Sequence, residues 1–178
     1  NKGEWSEFWV FCNCAANPKI SMCDSDLEPL ENQQLVVQKI FREGLVFFVS
    51  DEHKIIIQNK NSQTSLEKNK VRELLIEFCS DLLKEQERAS FFLKSGQLLL
   101  DDFQQANITS SSNKKDDISL QIIDPKTQNS SKAGFSIKSQ LGAPATLLNA
   151  SKENTNFVFE IINFKGSVEE VNAISTQS

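Results

Sequence analysis

The stretch Asp117-Ile-Ser-Leu-Gln-Ile-Ile-Asp124, followed by a polar turn and by Gly134-Phe-Ser-Ile-Lys138, decides the fold predicted for this chain. Apolar residues alternate with polar ones in both parts, which is the period of two expected of a half-buried strand. The intervening residues 124–132 are rich in turn-forming residue types. The stretch therefore predicts a β-hairpin whose turn is centred near Thr127.

The position of the turn also predicts the register of the two strands. A turn centred near Thr127 places Asp117 opposite the residues from Ser136 to Lys138. The apolar side chains of both strands then share one face, whereas Asp117, Ser136 and Lys138 share the other. Gln140 follows on that second face by the same alternation. A carboxylate and an ammonium group are thus expected together at the open end of the hairpin.

This pair of charges suits the hydrolysis of a phosphodiester. A divalent cation binds the phosphate and lowers the pKa of the attacking water, and a positive side chain balances the developing charge. Magnesium often takes only one or two carboxylates, so Asp117 and the backbone carbonyl of Ile137 are candidate ligands. Lys138 is the candidate cation. An ordinary amphipathic hairpin with a surface Asp–Lys pair has the same spacing, so both interpretations stay open on the pattern alone.

Two levels of resemblance favour the first interpretation. The pattern Asp-x(n)-[Asp/Glu]-x-Lys on a hairpin resembles the signature of the PD-(D/E)xK nucleases, although Ser136 stands where an acid is usual. The longer sequence around it resembles the HpaII-type restriction endonucleases. The residues that carry this resemblance are Phe135-Ser-Ile-Lys-Ser-Gln-Leu-Gly-Ala-Pro-Ala-Thr-Leu-Leu-Asn-Ala-Ser151, Thr155-Asn-Phe-Val-Phe-Glu-Ile161, Asn1-Lys-Gly-Glu-Trp-Ser-Glu7 and Lys115-Asp-Asp-Ile-Ser-Leu-Gln121. The region from Pro18 to Ile108 adds little to it.

The resemblance implies a mixed α/β domain, with a central mixed sheet flanked by helices and a restriction-endonuclease-like core. It also implies a type II enzyme that uses Mg²⁺ to hydrolyse double-stranded DNA at CCGG. Asp117 would bind the metal, and Lys138 would activate water or stabilise the transition state. Ser136 occupies the usual acid position, and Gln140 lies beside it.

Four residues after the hairpin are candidates for contact with DNA phosphates or base edges. Ordinary loop positions explain them equally well. They are Asn149, Ser151, Lys152 and Thr155.

The first sixteen residues predict an amphipathic helix. Its apolar face is formed by Trp5, Phe8, Trp9 and Cys12. At about 100° per residue, Glu4 falls roughly 90° from the centre of that face, and Glu7 falls roughly 150° away, in solvent. Many PD-(D/E)xK nucleases take an extra acid from their first helix, so Glu4 is the expected additional metal ligand. A glutamate that merely favours a helix N-terminus is the alternative.

The middle of the chain predicts strands and then helices. Residues 17–60 suggest several short strands. Thr64-Ser-Leu-Glu67 has the pattern of a capping box for a helix that runs toward Glu87. A second helical pattern, from Ser90 to Gln105, is expected to be interrupted near Ser95-Gly96.

The composition limits the remaining possibilities. The net charge of −5 does not indicate a nucleic-acid binder, but residues 106–152 carry six lysines against three aspartates. Tyrosine is absent and histidine occurs once, which excludes nucleases that depend on paired tyrosines or on clusters of histidines within one chain. Four unevenly spaced cysteines predict free cytosolic thiols. The sequence shows no signal peptide and no apolar run long enough to span a bilayer, so a cytoplasmic protein without membrane contact is expected.

The chain is interpreted as one nuclease-like domain, residues 1–178, and as the N-terminal part of a longer enzyme if a second half follows. Two other functions remain open: a non-catalytic DNA-binding or structural domain that has lost the acid at position 136, and a repair-type nuclease of the same superfamily. The sequence also leaves open the oligomeric state, with a homodimer among the alternatives.

Overall fold

A computed structural model of the chain describes residues 1–86, 90–108, 116–139 and 141. These residues all lie in the first of two units, Asn1–Ala145; the second unit is Thr146–Ser178. Three helices and seven strands occur in the described ranges. The helices are α1 (Lys2–Ala16), α2 (Lys68–Lys84) and α3 (Lys94–Asp102). The strands are β1 (Lys19–Cys23), β2 (Pro29–Arg42), β3 (Leu45–Phe48), β4 (Lys54–Gln58), β5 (Gln63–Glu67), β6 (Ile118–Ile123) and β7 (Ser130–Phe135).

The seven strands form one sheet in the order β5-β4-β3-β2-β6-β7, with β1 paired to β2. This architecture confirms the predicted mixed α+β class. Every pairing among the described strands is antiparallel, so this part of the sheet does not contain the parallel pairs that a mixed sheet would have. The central strand β2 has 14 residues, longer than the short strands expected there, and it pairs with β1, β3 and β6.

Helix α1 confirms the predicted N-terminal helix. Its N-cap is Asn1, whose side chain accepts a hydrogen bond from the backbone of Glu4. Trp5, Phe8 and Cys12 are buried as expected, and Trp9 is half-buried. The other side of the helix is at least half-buried, because α1 contacts α2, α3 and β2. Its aromatic rings join those of the sheet: the ring centroids of Phe11 and Phe47 are 5.1 Å apart.

The predicted capping box at Thr64–Glu67 is wrong. Those residues form strand β5, in which Leu66 pairs with Ile55 of β4, and the helix begins only at Lys68. Glu67 is the N-cap, but its side chain makes no capping hydrogen bond. The neighbouring strand β4 supplies backbone hydrogen-bond partners. A capping-box pattern covers only four consecutive residues, so it cannot predict this pairing. The helix ends at Lys84, short of Glu87.

The predicted break near Ser95-Gly96 is also wrong, since both residues lie inside α3 and are buried. Gly96 is needed for packing, not for a turn. A Cβ atom at this position would lie 2.4 Å from the Trp5 ring. The missing side chain therefore lets α3 approach α1 more closely than any other residue would allow.

The β6–β7 hairpin confirms the sequence prediction. Ile118 pairs with Phe135 and Ile123 with Ser130, so the turn is centred close to Thr127. The core side of β6 consists of three buried residues: Ile118, Leu120 and Ile122. The turn is held by Asp124, whose carboxylate accepts hydrogen bonds from Lys126 and Thr127. Strand β7 runs from Ser130 to Phe135, which is earlier than the alternation through residue 140 suggested.

Candidate active site

Asp117 lies where the two strands of the hairpin leave their regular pairing. Its backbone N–H donates to the carbonyl of Phe135 at 3.0 Å, the last bond of the ladder. Its side-chain Oδ2 accepts a hydrogen bond from the backbone N–H of Ile137 at 2.6 Å. The carboxylate therefore takes the place of a strand partner for the residues after Phe135. This hydrogen bond uses Oδ2, so Oδ1 is the oxygen that can face a ligand.

The predicted register around Asp117 is confirmed. Residues 136–138 lie next to it, because Ile137 is bonded to its carboxylate. The side chains of Ser136 and Lys138 are exposed, whereas Ile137 is half-buried and packs against the core. Gln140 lies outside the described residues.

Glu7 of helix α1 faces the same site, so the expectation that it points into solvent is wrong. The side chain is half-buried. Desolvation raises the pKa of Glu7 above its ordinary value, and the negative charges of Asp117 and Glu4 raise it further. The positive charges of Arg42 and Lys138 act on it in the opposite direction. Glu7 is thus within electrostatic reach of both predicted catalytic charges of the hairpin.

Glu4 has a different set of contacts. Its carboxylate accepts a hydrogen bond from the backbone nitrogen of Asn1 at 2.9 Å, and together these residues form a capping box at the start of α1. This is the helix-end role that the sequence left open as an alternative. Glu4 still lies close enough to Glu7 for its charge to raise the pKa of Glu7.

Arg42, at the end of β2, is a buried cation behind the site that the sequence analysis missed. Its guanidinium donates to Gln105 Oε1 at 2.9 Å and to the backbone carbonyl of Ile108. It also lies over the rings of Phe8 and Phe11, at 5.8 and 5.2 Å from their centroids. Burial lowers the pKa of Arg42, and the charges of Glu43, Cys12 and Glu7 counteract that effect. The sequence signal that could have indicated this buried cation is an arginine at an inward-facing position of an apolar strand.

The donor chemistry of the site suits a hard divalent cation. Asp117 and Glu7 are two carboxylates whose mutual repulsion contributes to the raised pKa of Glu7, and a bound cation would remove that repulsion. Within the described ranges, no group of three or more His, Cys, Asp or Glu side chains is arranged to hold a metal. Magnesium does not require such a cage, since it keeps several waters and binds one or two carboxylates. The residues present therefore fit this ion.

The other predicted residues add little to the geometry. Asn149, Ser151, Lys152 and Thr155 lie outside the described part of the chain. The four cysteines are free, as predicted, and Cys12 and Cys14 are buried. Burial raises the pKa of the Cys14 thiol to about 11, so it is protonated at neutral pH. Among the described helices, none combines the length and the apolar character that crossing a membrane requires.

An antiparallel sheet with three helices and an acidic cluster beside an exposed lysine is consistent with a restriction-endonuclease-like core. The family model of the HpaII restriction endonuclease matches residues 1–178. The chain is also 32% identical over 185 residues to the type II restriction enzyme HpaII of Haemophilus parainfluenzae. The chain belongs to the HpaII restriction endonuclease family. The match covers 98% of this chain and 50% of the relative, so the chain spans about half the length of that enzyme. No solved structure matches the chain.

Proposed function

We propose that this protein is a type II restriction endonuclease that hydrolyses phosphodiester bonds of double-stranded DNA with Mg²⁺. The observation that supports the proposal is the hydrogen bond from Ile137, the neighbour of Lys138, to the Asp117 carboxylate, with Glu7 within electrostatic range of both charges, in a chain of this family. Because the chain resembles HpaII-type enzymes, we propose CCGG as its target sequence. The similar protein from Haemophilus parainfluenzae is a type II restriction enzyme.

The residues around the hairpin divide the work. When bound, the cation supplies a Lewis acid and lowers the pKa of a water molecule. Asp117 would hold the cation with its carboxylate, and the carbonyl of Ile137 is a further proposed ligand. Glu7 provides the second carboxylate. The positive charge of Lys138 would lie beside the scissile phosphate, where it stabilises the negative charge of the transition state.

Further residues are proposed to assist the metal or to contact DNA. Glu4 stays a candidate for assisting the metal through its proximity to Glu7. Ser136, at the usual acid position, and Gln140 are proposed to contact the phosphate or its water. The proposed DNA contacts are those of Asn149, Ser151, Lys152 and Thr155. We also propose that the enzyme acts in the cytoplasm, where four free thiols stay reduced, and that a homodimer cuts both strands.

Cleavage of plasmid DNA tests the proposal directly. The protein is incubated with a plasmid of known sequence in Mg²⁺, in EDTA, and as the Lys138→Ala variant. Lys126→Ala is the matched control, because Lys126 is an exposed lysine in the turn of the same hairpin. Fragments that correspond to cuts at CCGG, lost in EDTA and in Lys138→Ala but kept in Lys126→Ala, are the expected result. Cleavage that persists in EDTA would contradict the metal-dependent mechanism.

One observation favours a second candidate, a non-catalytic DNA-binding domain. Ser136 is exposed at the position where related sites have an acid, so the site has one carboxylate fewer than usual. Such a domain would bind duplex DNA without cutting it, and Asp117→Ala would leave its DNA affinity unchanged. Cleavage without sequence preference would instead identify a repair-type nuclease.

A further inference from the structure

The residues that follow strand β7 lack the backbone pairing of a sheet, yet they carry Lys138. The strand ends at Phe135, and residues 136–139 belong to no helix or strand. A lysine on such a segment needs other anchors, since an irregular segment is held only by its specific contacts. Two anchors occur, one on each side of Lys138. The first is the bond from Ile137 N–H to the Asp117 carboxylate.

The second anchor is a pair of serine hydroxyls that joins the segment to helix α1. Ser139 Oγ donates to Ser6 Oγ at 3.0 Å, across 133 positions of sequence. Ser6 is buried, with 8% of its surface exposed, and its own hydroxyl donates to the carbonyl of Lys2 at 2.7 Å. The backbone N–H of Leu141 donates to Ser139 Oγ at 3.1 Å. Each hydroxyl therefore accepts one hydrogen bond and donates one, in a single direction.

This chain of hydrogen bonds connects the neighbours of the two charges. Ser6 precedes Glu7 on helix α1, and Ser139 follows Lys138. We propose that Ser6 and Ser139 are positioning residues that hold Lys138 between the Asp117 hairpin and the Glu7 helix. The inference rests on the proposed function, since it concerns the placement of the lysine used for cleavage. Networks of this kind are cooperative, so loss of either hydroxyl should release the same segment.

Cleavage kinetics test the role of the hydroxyls. Ser139→Ala and Ser6→Ala should each lower kcat by about ten- to a hundredfold with little change in KM, because small displacements of a catalytic group have effects of this size. Ser139→Thr keeps the hydroxyl and should restore most of the rate. Ser131→Ala, at an exposed serine of β7, is the matched control and should cleave at the normal rate.

A second substitution separates positioning of Lys138 from general loss of structure. If both serines act through one bond, the double variant should lose no more activity than either single variant. In a Lys138→Ala background, where only the slow residual cleavage of long single-turnover reactions is followed, Ser139→Ala should then have no further effect. A multiplied loss in either combination, or an unchanged kcat in the single variants, would overturn the proposal.

Amide hydrogen exchange tests the same bridge without any cleavage. The Leu141 N–H should exchange faster in Ser139→Ala and in Ser6→Ala, and at the unaltered rate in Ser131→Ala. Unchanged exchange in the first two variants would refute the bridge. A protein that shows the faster exchange but never cuts DNA would refute the proposed function and leave the bridge standing.

Discussion

The carboxylate of Asp117 has two separable tasks, and substitutions at this position can distinguish them. It accepts the hydrogen bond of Ile137 N–H at 2.6 Å, and it is the proposed metal ligand. Asp117→Ala removes both the acceptor and the charge. Asp117→Asn removes the charge but keeps an oxygen of the same shape in the same place.

The structure gives the expected size of each effect. A hydrogen bond to a charged group stabilises a fold by about 1.5 to 3 kcal/mol, and partial exposure of this one places it near 1 to 2 kcal/mol. Asp117→Ala should therefore lower Tm by roughly 2–8 °C for a chain of this length. Asp117→Asn should lose less than half of that free energy. Both variants should lose cleavage by more than about a hundredfold, because a metal-held phosphate contributes several kcal/mol to the transition state.

Thermal unfolding in EDTA, combined with plasmid cleavage in Mg²⁺, measures both effects on the same preparations. Equal destabilisation by Asn and Ala would show that the acceptor oxygen does not hold the segment after β7. Full cleavage by Asp117→Asn would show that Asp117 does not bind the metal. Either result would contradict the corresponding half of the reasoning.

Two further substitutions test the packing around the site. The pKa of Glu7 is raised above its ordinary 4.5, so its ionised form opposes folding. In EDTA, Glu7→Gln should therefore raise the unfolding free energy at pH 7. Urea titrations across pH should show that this gain vanishes below about pH 4.5. A gain that persists at pH 3, where the carboxyl is protonated in both states, would contradict this origin. Gly96→Ala should lower the unfolding free energy by about 1–3 kcal/mol, because the new Cβ would lie 2.4 Å from the Trp5 ring. The gain in helix propensity is too small to offset this overlap. A stabilised Gly96→Ala protein would show that α3 is free to shift.

The parts of the fold that the sequence predicted are those set by short-range alternation. The hairpin is an example, since its register follows from two strands and one turn, and Ile118 pairs with Phe135 as the turn position requires. Helix α1 was predicted from an equally local pattern, the recurrence of apolar residues every three to four positions. The same local geometry was enough to predict that Asp117 lies beside the segment that carries Lys138.

The errors arise where a distant element decides the local structure. Glu7 was assigned to solvent because a single apolar stripe was used to orient α1, yet the helix is packed on several sides by α2, α3 and β2. Thr64–Glu67 became a strand because β4 lies beside it. Ser6 and Ser139 left no signal, since nothing in two serines 133 positions apart shows that they meet.

The bond between Ser6 and Ser139 also has a consequence for biosynthesis. It joins Ser6 to a residue that the ribosome adds 133 positions later, and Glu7 and Lys138 come from the same two regions. A nascent chain that stops before residue 138 lacks both Lys138 and this bond. Under the proposed function, translation products that end before residue 138 are expected to be unable to cut DNA, because the proposed site needs the second of these regions folded against the first.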